Sequence, residues 1–192
     1  MSVSLPAKID AISLEKFLAL PETKPAREYI NGNIHQKPMP KGKHSILQGR
    51  LGETINQIAA SQKIAYSFPE LRCSFGVRSI VPDIVVFEWK NLPLDDRAEM
   101  QDDVTIAPDW TIEILSPDQS TVRVIDNILY CLKYNTQLGW LIDPKDRSVL
   151  VFHPGKEPEL LEGEQILPVL EVLKNWQLSV NELFSWLSFS NE

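Results

Sequence analysis

Two carboxylates stand where carboxylates are costly. The stretch from Ser67 to Pro117 holds two short apolar runs, Ile84 to Phe87 and Trp110 to Leu115, with Asp83 at the mouth of the first and Glu113 inside the second. A charge within an apolar strand must be desolvated, so it needs a cation, an arginine or a hydrogen-bond network to compensate it. If the strands are neighbours, both acids can share that partner. Two acids with a backbone carbonyl supply hard oxygen ligands for Mg²⁺, which neutralises charge beside a phosphodiester and lowers the pKa of a bound water. The plainer reading makes Asp83 a turn residue after Pro82 and pairs Glu113 with an arginine such as Arg72 or Arg78.

These positions need a scaffold. Ser13 is placed to cap a helix over Ile12 to Leu20, with Pro21 as its stop. Arg27 to Pro38 reads as a hairpin whose Asn31-Gly32 pair supplies a type I′ turn, with Glu28 at its start. Lys41 to Gln62 has the apolar stripe of an amphipathic helix packed on a sheet. Lys41, Lys43, His44 and Arg50 cluster near its beginning, where basic groups oppose the helix dipole; phosphate contact is one explanation and a solvated helix start the other.

Ile64 to Trp89 reads as two strands joined around Gly76. The acidic spacer Lys90 to Ala107 lacks the ligand alternation and glycine of a calcium loop and reads as a solvated excursion, long enough to allow a strand crossover. Ser116 or Asp118 is expected to cap a helix over Thr121 to Asn135, its stripe of Val122, Ile125, Ile128, Leu129 and Leu132 facing the core. Arg123, Asn127, Tyr130 and Tyr134 share a neighbouring face that could meet whatever Asp83 and Glu113 bind. Strands follow at Trp140 to Ile142 and Val149 to Phe152, then a tail with a Gly163 turn and a final helix near Val180 to Leu187, capped by Ser179.

The chain has 192 residues and a net charge of −7, with 43% hydrophobic and 23% charged residues, as in a soluble globular protein of one domain. The acidic balance disfavours nonspecific coating of nucleic acid but allows a local basic groove. Cys73 and Cys131 lack CxxC spacing and read as buried free thiols of a reducing compartment. No apolar run has the length of a membrane span and the start lacks a secretory leader, so a cytoplasmic protein is expected.

The ordered elements EYINGNI, a histidine at the next helix start, PDIVVF, a Glu113 strand ending in EILSP, and GWLIDP resemble a restriction-endonuclease family abundant in cyanobacteria, within the PD-(D/E)xK nuclease superfamily. The resemblance runs from about Leu14 to Phe152. It implies a restriction-endonuclease-like α/β (α+β) fold, a central mixed sheet flanked by helices. It implies Asp83 and Glu113 as metal ligands, the Ile114 carbonyl as a third, and Glu28 and His44 as outer members of the site. One departure stands out: the superfamily lysine two residues after the acid is Leu115 here, and the aligned position on the next helix is Asn127. Arg123, one turn earlier, can supply positive charge but cannot act as a base.

The expected function is a Mg²⁺-dependent endonuclease acting on DNA, with Mn²⁺ as an alternative ion and Arg123 as charge stabiliser. The competing reading is a non-cleaving module of the same fold that binds nucleic acid or a protein; a weaker one is hydrolysis of another phosphate ester. Cutting both strands of a duplex suits a homodimer.

Overall fold

The computed structural model describes residues 12–117 and 119–190. Asp118, one of the proposed helix caps, and most of the segment read for a secretory leader lie outside them.

The entry helix α1 (Leu14–Leu18) is shorter than expected, but Ser13 does cap it, its Oγ accepting from the Lys16 N–H. Strands β1 (Arg27–Ile30) and β2 (Asn33–Gln36) form the expected hairpin, with φ of 50° at Asn31 and 85° at Gly32 as a type I′ turn requires. Helix α2 (Gly42–Ala59) buries His44, Leu47, Leu51, Ile55 and Ala59.

From Ile64 to Trp89 the structure departs from the expected two strands: it contains β3 (Ala65–Pro69), β4 (Cys73–Phe75), β5 (Arg78–Ile80) and β6 (Ile84–Glu88). Gly76 sits in the tight turn between β4 and β5 rather than between two long strands. The chain continues through β7 (Trp110–Ile114), α3 (Thr121–Lys133), β8 (Leu138–Asp143), β9 (Ser148–Phe152), β10 (Glu159–Glu162) and α4 (Val180–Ser185). Ser179 caps α4 by accepting from the Glu182 N–H.

Two sheets result. The smaller has the order β2-β1-β5-β4; the larger runs β10-β9-β8-β7-β6-β3, with β7 and β8 its parallel pair, joined through α3. The spacer before β7 makes no crossover, because β6 and β7 are antiparallel neighbours. Nor is it wholly solvated: Val104 is buried, and its carbonyl accepts from the Ser74 N–H.

Strand alternation divides the core. Ile84, Val86, Trp110, Ile112 and Ile114 pack with α2 and the apolar tail, while Val85 and Phe87 pack with β4, β5 and α3. Glu113 and Asp83 have the parity of this second face, between the large sheet and the hairpin.

Helix α3 is turned relative to the expected stripe. Val122 is 78% exposed and Leu129 41%, whereas Val124, Asn127, Ile128, Tyr130 and Cys131 are buried. Polar anchors set this rotation. The Tyr130 hydroxyl donates to the Phe75 carbonyl and accepts from the Val77 N–H, and Arg78 pairs with Asp126 at 2.8 Å. Strand β8 begins before the expected Trp140 and includes Gly139, where α3 approaches closely: a Cβ there would lie 2.4 Å from Ile128 Cγ2. Among the described residues no helix is long and apolar enough to cross a membrane.

Candidate active site

The β6–β7 register, Ile84 opposite Ile112, continues one step to set Asp83 opposite Glu113 at the end of the pair. Both carboxylates are almost wholly buried. Asp83 Oδ2 accepts from the Ile114 N–H at 2.7 Å and lies 3.0 Å from His44 Nε2; Gln48 donates to the Asp83 carbonyl at 2.8 Å. Helix α2 therefore braces Asp83 from one side and β7 from the other.

The shared partner is neither Arg72 nor Arg78. Arg72 is held by Glu22 and Ser79, and Arg78 by Asp126. It is Lys37, just past β2, whose Nζ lies 2.8 Å from Asp83 Oδ1 and 3.5 Å from Glu113 Oε2, and donates to the Val81 carbonyl at 2.6 Å. Lys37 escaped the sequence reading because it sits among the polar residues of a hairpin end. A signal for it existed. A two-residue turn sets Glu28 opposite His35 and therefore Ala26 opposite Lys37, where the Lys37 N–H donates to the Ala26 carbonyl at 2.9 Å. Glu28, His35 and Lys37 thus fall on one face of the hairpin.

Glu28 faces the same site. Its Oε1 accepts from the Val81 N–H at 2.9 Å and its Oε2 from Asn127 Nδ2 at 3.3 Å. Asn127 Oδ1 is buried without a partner among the described residues, as is His44 Nδ1. Arg123 is exposed on the rim and lines, with Glu28, His35, Lys37, Glu113 and Asn127, a cavity of about 20 Å³. Of the residues singled out from sequence, Asp83, Glu113, Ile114, Glu28, His44 and Asn127 converge, and Arg123 overlooks them.

The electrostatics follow from burial against charge. Burial opposes ionisation of Asp83, but the Lys37 ammonium and the His44 hydrogen bond outweigh it, holding the carboxyl well below the usual range. For Glu113 burial prevails, helped by the negative charges of Asp83 and Glu28 and opposed by Lys37, so its pKa lies well above the ordinary value. Burial would lower Lys37, yet Glu113, Asp83 and Glu28 together raise it, so it stays an ammonium. His35 is depressed, first by burial and then by the Arg123 charge.

Among the described residues no three or more His, Cys, Asp or Glu side chains already form a metal-holding cluster. Beside His44 a groove of about 920 Å³ opens, lined in part by Lys41, Lys43, Thr121, Lys145 and Asp146. Lys41 and Lys43 at the start of α2 therefore border this groove, whereas His44 packs inward against Asp83.

The chain is 51% identical, with a TM-score of 0.91 and covering 92% of this chain and 99% of the other, to the crystal structure of a "putative nuclease belonging to DUF820" from Anabaena variabilis ATCC 29413. No curated protein matches the chain. A model of the Uma2 family, described as "Putative restriction endonuclease", matches residues 14–181. Both descriptions support a nuclease. The match runs from the start of α1 into α4, and the chain belongs to the Uma2 family.

Proposed function

We propose that this chain is a Mg²⁺-dependent endonuclease that hydrolyses DNA phosphodiester bonds, with Mn²⁺ able to replace Mg²⁺. The observation that carries the reading is the meeting of Asp83 and Glu113, from adjacent strands, on one cation at 2.8 and 3.5 Å. Two carboxylates able to share an ammonium have the spacing and charge to share a divalent ion, and Mg²⁺ is commonly held by one or two carboxylates while keeping several waters. Burial supports the same fit: Glu113 is buried with only a long 3.5 Å contact to Lys37, so a second positive charge would offset its desolvation.

Asp83 and Glu113 would hold the ion. The Ile114 carbonyl is a third donor, since a strand residue directs its N–H and C=O to the same edge and the Ile114 N–H already reaches Asp83. When bound, the ion supplies charge neutralisation at the scissile phosphate and a more acidic water. The chain's own groups do the rest. His44 fixes the Asp83 carboxylate, as outer partners of metal ligands do. Arg123 on the rim offers a permanent positive charge to the phosphate. Lys41, Lys43 and Lys145 along the groove can hold flanking backbone phosphates within an otherwise acidic protein. All of this belongs to a single nuclease-like domain, and a homodimer would place two such sites on the two strands of a duplex.

A plasmid-nicking assay with Mg²⁺ or Mn²⁺ tests the reading. Wild type should nick, and Asp83→Ala and Glu113→Ala should not. Cleavage that survives both substitutions refutes the site. Leu115, in place of the lysine, is what favours a non-cleaving module, and DNA bound but left intact with either metal would establish that reading instead.

A further inference from the structure

We infer that Lys37, carried by the hairpin, does the work of the lysine absent at Leu115: it holds and polarises the attacking water in the small cavity beside Glu113. The inference rests on the proposed nuclease reading and adds a residue to it.

Three observations carry it. An ammonium has three protons to donate. Two are taken at 2.6 and 2.8 Å by the Val81 carbonyl and Asp83, while Glu113 at 3.5 Å is only loosely engaged. The third proton, on this long bond to Glu113, is therefore the one a water can take over when Glu113 turns to an ion. Next, the cavity bounded by Lys37, Glu113, Glu28 and Asn127 measures about 20 Å³. That is room for one water, which needs about 10–15 Å³ and two to four polar partners. Finally, Asn127 Oδ1 is buried and unpartnered among the described residues, an acceptor for the hydrogen such a water would point at it.

The Val81 carbonyl explains how Lys37 can keep its place when the acids turn to an ion. This anchor is backbone, set by the chain between β5 and β6, and independent of both carboxylates. In the reaction the water oxygen bonds to phosphorus. The bond from phosphorus to the leaving sugar oxygen breaks with its electron pair on that oxygen, which takes a proton from solvent as the water's proton passes to solvent. Lys37 stays charged throughout, stabilising the negative charge that builds on the phosphoryl oxygens.

The test compares wild type with Lys37→Met and Lys37→Arg in single-turnover cleavage of plasmid DNA under saturating Mg²⁺, with Mg²⁺ binding followed by calorimetry and folding by thermal melting. Lys37→Met should cleave about 10²-fold or more slowly, the scale of a lost catalytic group. It should bind Mg²⁺ at least as tightly as wild type, because a cation competing for both carboxylates is gone. Lys37→Arg keeps the charge and hence the fold but carries it on a planar fork, and should lose at least about tenfold. Folded variants cleaving within about threefold of wild type, or losing Mg²⁺ binding along with cleavage, overturn the role; if Lys37→Met does not fold, Lys37→Arg decides. Absence of wild-type cleavage instead overturns the nuclease reading and this role with it.

Discussion

Asp83 and Glu113 face one another one step beyond the last paired residues of β6 and β7, and a single ammonium bridges them. Their closeness is a matter of register. Asp83 precedes one apolar run and Glu113 interrupts the other; their neighbours Ile84 and Ile112 are fully buried against α2, and that packing fixes the opposite face as the one the acids share.

Substituting either acid should remove a ligand without changing its shape. Asp83→Asn and Glu113→Gln are expected to lower Mg²⁺-dependent cleavage by about 10²–10³. A readout independent of turnover is thermal stability. An ion at a hundred times its dissociation constant stabilises a folded protein by about 2.7 kcal/mol. Mg²⁺ should raise the melting temperature of wild type and leave that of both variants unmoved.

His44 tests the support of that pair. Its Nε2 lies 3.0 Å from Asp83 Oδ2, the oxygen that also accepts from the Ile114 N–H. Losing it leaves Asp83 attached but less well oriented. His44→Ala should weaken Mg²⁺ binding or cleavage by about 10–100-fold, milder than loss of the acid itself. Calorimetric titration with Mg²⁺ measures the difference, and an unchanged affinity and rate would leave His44 a plain buried side chain.

Much of this was legible beforehand, for identifiable reasons. Asn31-Gly32 announces its turn because few other pairs accept two positive φ angles. Asp83 and Glu113 stand out because acids rarely interrupt apolar strands. What stayed hidden depended on tertiary contacts. Lys37 looks like any polar residue at a hairpin end until Val81 and the acids surround it. The α3 stripe misled because Tyr130, Asp126 and Asn127 make hydrogen bonds that outweigh the burial of Val122 and Leu129. Strands β4 and β5, of three residues each, carry too little alternation to separate from β3 and β6 in the sequence.

The two thiols offer a pH-dependent check. Burial pushes the Cys73 thiol up to about 12, and burial with the nearby Cys73 raises Cys131 well above its ordinary 9.0. A raised thiol pKa means that the folded chain keeps its proton where the unfolded chain loses it. The stability contributed by these groups is therefore complete below about 9 and declines as pH rises from there toward 12. At pH 9 both cysteines should resist iodoacetamide in the native protein and react readily once it is denatured, as mass spectrometry of the alkylated peptides would show. Rapid native labelling of either would contradict the burial.

Gly139 links stability to the site. A Cβ there would lie 2.4 Å from Ile128 Cγ2 and 3.4 Å from Phe152 Cβ, so alanine must push α3 away from β8. Gly139→Ala should destabilise by about 1–3 kcal/mol, the usual cost of overpacking, or a few degrees of melting temperature for every kilocalorie in a chain of this size. The same displacement should reach Asn127, one residue from Ile128 and bonded to Glu28 at 3.3 Å. Ile128→Ala removes the clashing methyl at the expense of a cavity. If contact with Ile128 is the cause, the double variant should lose less than the two single losses added together, a coupling of about 0.5–3 kcal/mol. Additive losses in thermal melting would place the strain elsewhere in β8, and with it the reason a glycine stands near the start of a buried strand.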